Sequence, residues 1–263
     1  MGEREDLERF REVAARAAVA AGEVVLAADR PAAELKGKAD YVTAADRAAE
    51  EAARAVFDHE APGVAVVGEE LGGADAERYW LIDPIDGTTN FLLGFPVVGV
   101  SVALVHRGRP AAGAVHAPYL GTTFSAARGQ GAEQDGQPLR VSDRPVDRAV
   151  VGTGFPFRSK HRLPEYLEVF LPALERFEDL RRPGAVSLDL AWVAAGVFDG
   201  FFEIGLSPWD VAAGALLIEE AGGIVTDWSG GDGYLSGDIL AGARPVHAVL
   251  RDLAGGGHAG AGG

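Results

Sequence analysis

Two aspartates in the stretch YWLIDPIDGTTNF, residues 79–91, have the types and the spacing needed for metal-ion chemistry. Asp83 and Asp86 follow apolar residues typical of a strand end, and Pro84 between them stiffens the turn because it fixes one backbone torsion. Carboxylates this close repel each other unless a positive charge lies between them. Hard divalent cations prefer oxygen ligands, so the pair could hold one Mg²⁺ or bridge two ions about 3.5–4 Å apart.

The residues that follow this pair favour an anion as the second ligand. Gly87 lets the backbone approach an anion closely, and the Thr88 hydroxyl can hold or orient a water molecule. If the segment TTNF opens a short helix, its free N–H groups and its dipole face that anion. Metal ions beside an anion cradle suit a phosphate group.

Two further acids occur where a strand ends or a helix begins, which is where α/β proteins build their sites. Glu69 follows the apolar run VAVVG, and Asp210 follows GLSPW and opens a predicted helix. Each acid also has a purely structural interpretation. DxxDGT could be a capped turn, Asp210 an N-cap, and Asp46 a capping-box acid after an N-cap at Thr43. Only their joint order along the chain favours a shared site.

Composition excludes several classes of function. The 263 residues carry a formal net charge of −15, which disfavours nucleic-acid binding through a basic surface. There is no Cys, so disulfide and thiolate chemistry are excluded. The charged N-terminus MGEREDLERF lacks the apolar core of a signal peptide, and no apolar run approaches the roughly 18 residues of a membrane span. We therefore expect a cytoplasmic protein.

Hydrophobic spacing predicts an α+β chain with two halves on one continuous core. In the first half we predict helices near 5–28 and 44–60, a loop at 36–42, strands at 64–68 and 79–83, a hairpin over 97–118 and strands at 122–127 and 137–142. In the second half we predict strands at 149–154, 179–183, 200–205, 224–228 and 238–243, and helices at 163–178, 186–197, 208–223 and 244–254. The predicted division is an antiparallel-sheet half at 1–147, an α/β half at 148–255 and a disordered Gly-rich tail at 256–263.

The motifs together resemble the inositol monophosphatase family of Mg²⁺-dependent, lithium-sensitive sugar phosphatases. The stretches that carry the resemblance are GEE at 68–70, WLIDPIDGTTNF at 80–91 and WDVAAGALLIEEAGG at 209–223, with DYVTAADR at 40–47 and GTGFPF at 152–157 in support. The resemblance covers nearly the whole chain. It implies a layered αβαβα sandwich, a homodimer and a small-molecule phosphate ester as substrate. Metal-activated water would hydrolyse the ester without a covalent intermediate.

The resemblance also implies two or three Mg²⁺ ions and a set of ligands. The first ion would be held by Glu69, Asp83 and the backbone carbonyl of Ile85, and Glu69 would also help to place a third, weaker ion. The second ion would be held by Asp83, Asp86 and Asp210.

For catalysis and substrate binding the resemblance assigns further positions. Thr88, hydrogen-bonded to Asp46, would orient and deprotonate the attacking water, with Glu69 in the same catalytic group. The residues expected to touch substrate are Gly87 and Thr88 through their amides, Glu203 at a sugar hydroxyl, and also Asp210 and Ala185. Lys36, or its rival Lys38, matches a family lysine near the metals.

Departures from the family pattern leave the substrate open. The chain has GAVS at 184–187 where the family usually has Gly-Ser/Thr-Ala-Ala, and it has basic clusters at 158–162 and 181–182 that could hold a second phosphate. The alternatives are fructose-1,6-bisphosphate, histidinol phosphate and 3′-phosphoadenosine 5′-phosphate. A phosphatase of the haloacid-dehalogenase type is disfavoured because the spacing is Asp-x-x-Asp, not Asp-x-Asp. A regulatory or binding protein on a retained phosphatase fold is the non-enzymatic alternative.

Overall fold

The structure, a computed structural model, describes residues 3–28, 34–37, 40–42, 44–73 and 76–256. The helices in these ranges are α1 Glu3–Ala27, α2 Ala44–Glu60, α3 Thr88–Leu93, α4 Leu163–Arg176, α5 Val186–Ala194, α6 Pro208–Glu220 and α7 Arg244–Gly256. The strands are β1 Glu34–Gly37, β2 Asp40–Val42, β3 Ala65–Gly68, β4 Arg78–Asp86, β5 Gly99–His106, β6 Arg109–Ala117, β7 Thr122–Ala127, β8 Ala132–Gln134, β9 Gln137–Pro138, β10 Val150–Thr153, β11 Asp179–Arg181, β12 Gly200–Glu203, β13 Ile224–Thr226 and β14 Ile239–Gly242.

The first large sheet has the strand order β3-β4-β5-β6-β7-β8-β9, and all its pairs are antiparallel except β3 with β4. Strand β4 carries both aspartates of the opening motif at its end. Asp83 pairs with Ser101 and Asp86 with Gly99, and the register shifts between them. In a regular strand, residues three apart point to opposite faces. The irregularity lets both carboxylates serve one site.

The second large sheet has the order β11-β10-β12-β14-β13 and is mixed. Strand β10 is parallel to both of its neighbours, whereas β14 is antiparallel to β12 and β13. Parallel strands need helical crossovers, and α4 and α5 supply them. The second half therefore has the α/β character that its sequence predicts.

The layers are helix, sheet, helix, sheet, helix. Helices α1 and α2 cover the outer face of the first sheet, where Phe57 stacks on the fully buried Trp80 with ring centroids 4.7 Å apart. Helices α5 and α6 lie between the sheets and are apolar on nearly every side, as a sandwiched helix must be. Helices α4 and α7 cover the second sheet. This arrangement confirms the predicted layered αβαβα sandwich.

The middle layer joins the two halves of the chain. Its core brings Val115 of the first sheet, Leu216 of α6 and Phe201 of the second sheet into one cluster. The predicted boundary between residues 147 and 148 falls between β9 and β10, but the shared core gives no independent test, so the division stays a prediction.

Several details of the predicted elements differ from the structure or fall outside it. The predicted loop at 36–42 is wrong, because β1 and β2 form an antiparallel hairpin there. The predicted strand at 137–142 shortens to β9, and β8 was not predicted. These short polar strands have too few residues to show an alternating pattern. The predicted N-cap Thr43 and residues 257–263 of the predicted tail lie outside the described residues. In the described ranges, every helix is too short or too polar to cross a bilayer.

Candidate active site

A cavity of about 440 Å³ opens where β4 and β12 end and where α3, α5 and α6 begin. The acidic residues of this cavity are far apart in the sequence. The fold brings them to one cavity because several elements begin or end at this point. The carboxylates that line the cavity are Glu69, Asp83, Asp86, Glu203 and Asp210. The structure thus brings together all four acidic side chains that were predicted to bind metal, and Glu203 beside them.

Backbone amides fix the orientation of the three aspartates. The N–H of Ile85 donates to Asp83 Oδ1 at 3.0 Å, and the N–H of Ser207 donates to Asp210 Oδ2 at 2.8 Å. The N–H of Ser187 donates to Asp86 Oδ2 at 2.6 Å. In each aspartate one oxygen is therefore held by the main chain, and the second oxygen is the candidate ligand atom.

Asp210 combines the structural and the functional interpretation of its position. Ser207 is the N-cap of α6, and Asp210 is the N3 residue that completes the capping box. The carboxylate nevertheless lines the cavity and hydrogen-bonds to the carboxyl group of Asp83. The N-cap is thus Ser207 and not Asp210, although Asp210 takes part in the capping box. Capping does not exclude metal binding.

The aspartates hold protons more strongly than exposed carboxyls do. Burial raises the pKa of Asp83 well above its ordinary value, and the charges of Glu69, Asp86 and Asp210 raise it further. Burial and the charge of Asp210 raise the pKa of Asp86 to about 6, although hydrogen bonds from Ser187 oppose the rise. Carboxyl groups that repel one another in this way favour either shared protons or bound cations.

The donor set fits a hard divalent cation. Carboxylate oxygens and a backbone carbonyl are what Mg²⁺ accepts, and the residues that could supply them are Glu69, Asp83, Ile85, Asp86 and Asp210. In the described part of the chain, no three such side chains are already arranged as a closed ligand set. The carboxyl groups of Asp83 and Asp210 lie close enough to hydrogen-bond, and this contact raises the pKa of Asp83.

Glu50 positions the loop that carries Glu69, a role that the sequence analysis missed. Its fully buried carboxylate accepts the N–H of Glu70 at 2.8 Å and the side chain of Arg54 at 2.9 Å. Gly68 makes room, because a Cβ there would lie 2.0 Å from Glu50 Oε1. The sequence signal for this role was the position of Glu50 on the buried face of α2, at helical spacing from the apolar residues of that face.

Gly87 and Thr88 form the turn between β4 and α3, as predicted for a short helix opening at this point. Gly87 has φ 91°, which only glycine adopts easily, and a Cβ would come within 3.1 Å of the Val97 carbonyl oxygen. The Thr88 hydroxyl donates to the carbonyl oxygen of Ile85 at 3.1 Å. Both residues line the cavity.

Two predicted residues in the described ranges do not line the cavity with the others. Asp46 is buried on α2, and its hydrogen bond to Thr88 stays a prediction. Ala185 is fully buried behind the Gly87 turn, with its Cβ 3.2 Å from where a Gly87 Cβ would stand. Lys36 lies in β1, where side chains are not described, and Lys38 is outside the described residues.

Glu203 and two arginines also line the cavity, beside the aspartates. Burial and the charge of Asp210 raise the pKa of Glu203 to about 8, and the positive charge of Arg182 opposes this rise. Arg158 and Arg182 both line the cavity, and the Arg182 guanidinium stacks over Phe157 at 5.4 Å from the ring centroid. One arginine from each basic cluster therefore reaches the site.

Comparison with known proteins agrees with this architecture. The sequence model of the inositol monophosphatase family matches residues 6–254. Nus factor SuhB of Escherichia coli strain K12 is 43% identical over 251 residues, which cover 92% of this chain and 94% of that protein. Among solved structures, extragenic suppressor protein suhB from Bartonella henselae has a TM-score of 0.88 at 36% identity, covering 92% of this chain and 97% of that chain. An inositol monophosphatase from Anabaena has a TM-score of 0.85 at 35% identity, covering 94% of this chain and 96% of that one.

A layered sandwich whose cavity gathers buried acids where strands end and helices begin defines a phosphoric monoester hydrolase of the sugar-phosphatase class. The chain belongs to the inositol monophosphatase family. Members of this family generally depend on a metal ion, in accord with the oxygen-only donor set of the cavity.

The raised pKa values predict an unusual pH dependence for the metal-free protein. Asp86 titrates at about 6 when folded, compared with about 3.9 when unfolded, so the folded state retains protons that the unfolded state releases. This contribution to stability is complete below about pH 4 and is lost as the pH rises through 6, amounting to a few kcal/mol at most. In EDTA, Tm should therefore fall between pH 5 and pH 8.

The matched variant Asp86→Asn should lose part of this pH dependence, since its side chain does not ionise. Added Mg²⁺ should raise the Tm of the natural sequence more at pH 8 than at pH 5, because protons compete with the metal. Thermal unfolding followed by circular dichroism provides the measurement. A metal-free Tm that changes equally in both proteins would contradict the electrostatic account.

Proposed function

We propose that the protein is a Mg²⁺-dependent phosphomonoesterase that hydrolyses inositol monophosphate or a related sugar phosphate. The observation that carries the proposal is the convergence of Glu69, Asp83, Asp86 and Asp210 on one cavity next to the Gly87–Thr88 turn. Hydrolysis of a phosphate monoester is slow because the anionic ester repels nucleophiles, so a site for it must supply positive charge and a positioned water.

The metal ligands are the four acids and the carbonyl oxygen of Ile85. Bound Mg²⁺ would neutralise the phosphate, lower the pKa of a coordinated water and stabilise the departing alkoxide. The protein holds Asp83 and Asp210 by main-chain amides at 3.0 Å and 2.8 Å, so these carboxylates are oriented before any ion binds. We propose two or three ions, with Glu69 as the ligand that the third shares.

The attacking water is assigned to Thr88 and Asp46. The Thr88 hydroxyl, already 3.1 Å from the Ile85 carbonyl oxygen, lines the cavity and can orient a water at the phosphorus. Asp46 is the proposed acceptor of the proton through Thr88. The amides of Gly87 and Thr88 are the proposed phosphate contacts, since glycine leaves the backbone accessible there.

Substrate recognition is assigned to residues around the cavity other than the Gly87–Thr88 turn. Glu203 and Asp210 are the proposed partners of sugar hydroxyls, and Ala185 shapes the pocket from behind the Gly87 turn. Arg158 and Arg182 keep the bisphosphate alternative open, because they bring positive charge to the cavity. Histidinol phosphate and 3′-phosphoadenosine 5′-phosphate belong to the same alternative. We also propose a cytoplasmic homodimer, as expected from the sequence and the family resemblance.

A second role in binding a macromolecular partner is the candidate raised by the relatives named Nus factor SuhB. We place it second for this chain. The complete set of buried acids raises the free energy of folding, and binding a partner would not require such a set.

Asp83→Asn should abolish most Mg²⁺-dependent phosphate release from inositol 1-phosphate. Asp83 is the proposed ligand of both ions, and stabilisation by metal is worth several kcal/mol, so kcat/KM should fall roughly a thousandfold. The Asn oxygen can still accept the Ile85 N–H, and the repulsion among the acids decreases. The variant should therefore be at least as stable as the natural sequence when both are metal-free.

Asp58→Asn on the exposed side of α2 is the matched control and should retain full activity. Phosphate release by a colorimetric assay, with and without EDTA, provides the measurement. Retained turnover of Asp83→Asn in EDTA would refute the metal mechanism.

A panel of phosphate esters should show a preference for inositol 1-phosphate over fructose-1,6-bisphosphate. Arg182→Ala should lower kcat/KM for the bisphosphate selectively, because the positive charge that could face a second phosphate is lost. Arg181→Ala is the matched control, since Arg181 pairs with Asp179 and does not line the cavity. A kcat/KM that favours the bisphosphate by more than about tenfold, equivalent to about 1.4 kcal/mol, would replace the first assignment by the second.

A further inference from the structure

Asp86, at the end of β4, receives a second hydrogen bond that its position opposite the start of α5 does not by itself provide. The backbone N–H of Ser187 and the Ser187 hydroxyl both donate to Asp86 Oδ2, each at 2.6 Å. Ser187 is fully buried in the first turn of α5, 101 residues away along the chain. Any residue except proline offers the amide at this position, but only a residue with a side-chain donor offers the second bond.

Gly99 makes room for this hydroxyl. Gly99 is the β5 residue paired with Asp86, so its missing side chain leaves a space beside the carboxylate. A Cβ at Gly99 would lie 2.4 Å from Ser187 Oγ, which is closer than such atoms approach in real structures. The φ of Gly99 is not in the left-handed region, so steric space and not backbone freedom is the reason for glycine here.

We propose that Ser187 is a positioning residue for Asp86 as a metal ligand, and that Gly99 and Ser187 act as a coupled pair. The inference rests on the proposed function, because it concerns the same metal site. With two donors on Oδ2, Oδ1 is the oxygen that Asp86 offers to an ion. The N–H of Val186 supports the same carboxylate more weakly.

The hydroxyl restrains the carboxylate in a way that water could not replace. Ser187 is fully buried and does not line the cavity, so a water molecule could replace its hydroxyl only if the packing of β5 against α5 opened. Charge-assisted hydrogen bonds to an oxygen are short and directional, which limits rotation of the carboxylate plane. Residues that hydrogen-bond to a metal ligand tune the affinity for the metal, because they fix the orientation of the ligand before the ion binds.

Titration of the metal-free full chain with Mg²⁺ by calorimetry tests the role of Ser187. Ser187→Ala should weaken Mg²⁺ affinity about tenfold, at the lower end of the usual effect because the Ser187 amide remains. In steady-state assays the half-saturating Mg²⁺ concentration should rise by the same factor, while KM for the phosphate ester changes less than about twofold. A structural defect alone would not separate the two constants in this way.

Ser125→Ala is the matched control, because Ser125 is also buried but donates to Glu133 at 3.3 Å in the first sheet, outside the cavity. It should leave Mg²⁺ affinity unchanged. If Ser187→Ala binds Mg²⁺ as tightly as the natural sequence, the positioning role is refuted while the proposed function stands. If the natural sequence itself binds no Mg²⁺, the proposed function fails first and this inference fails with it.

A double-mutant cycle tests the coupling without any metal. Gly99→Ala should lower Tm by about 4–8 °C in the natural background, since the added methyl group meets the Ser187 hydroxyl. In the Ser187→Ala background the same change should shift Tm by less than about 2 °C. Equal losses in the two backgrounds would show that the pair is not coupled and would overturn this part of the proposal.

Discussion

Electrostatic repulsion among buried carboxylates is the constraint on which the site depends. The charges of Asp86 and Asp210 raise the pKa of Asp83, and the charge of Asp210 raises the pKa of Asp86, among side chains that are all buried. Such an arrangement opposes folding unless protons or cations relieve it. The site is therefore a local instability that the rest of the fold must offset.

The fold offsets this instability with a large apolar interior. The middle helices α5 and α6 are buried between two sheets, and the core around Leu216 spans both halves of the chain. Because these helices are held on both sides, the segments that enter them have little freedom to move. The amides of Ser187 and Ser207 at these helix starts consequently keep Asp86 and Asp210 in place against their mutual repulsion.

Much of the fold, and the placement of the four acids at strand ends and helix starts, could be predicted from the sequence because the signals are local. Strand β4 ends in DPID and is followed by GTT, and α6 begins in PWD and continues as an apolar run, so periodicity and turn chemistry identify both elements. The β1–β2 hairpin was missed because its few polar residues have no clear period.

What the sequence could not reveal are contacts between distant residues. Glu50 under the Glu69 loop and Ser187 against Asp86 look like ordinary helix residues until the tertiary structure buries them. The segment GAVS at 184–187 illustrates the difference. Its departure from the family pattern suggested a change in substrate, whereas the structure ties its serine to a proposed metal ligand.

The central claim is that these acids retain protons until a cation replaces them. Its most direct test is the number of protons released when metal-free protein binds Mg²⁺ at pH 6, measured by calorimetry in buffers of different ionisation enthalpy. The account predicts net proton release, because the pKa of Asp86 lies at about 6 and burial beside the other acids raises the pKa of Asp83 as well. Binding of Mg²⁺ without proton release, or with proton uptake, would contradict it.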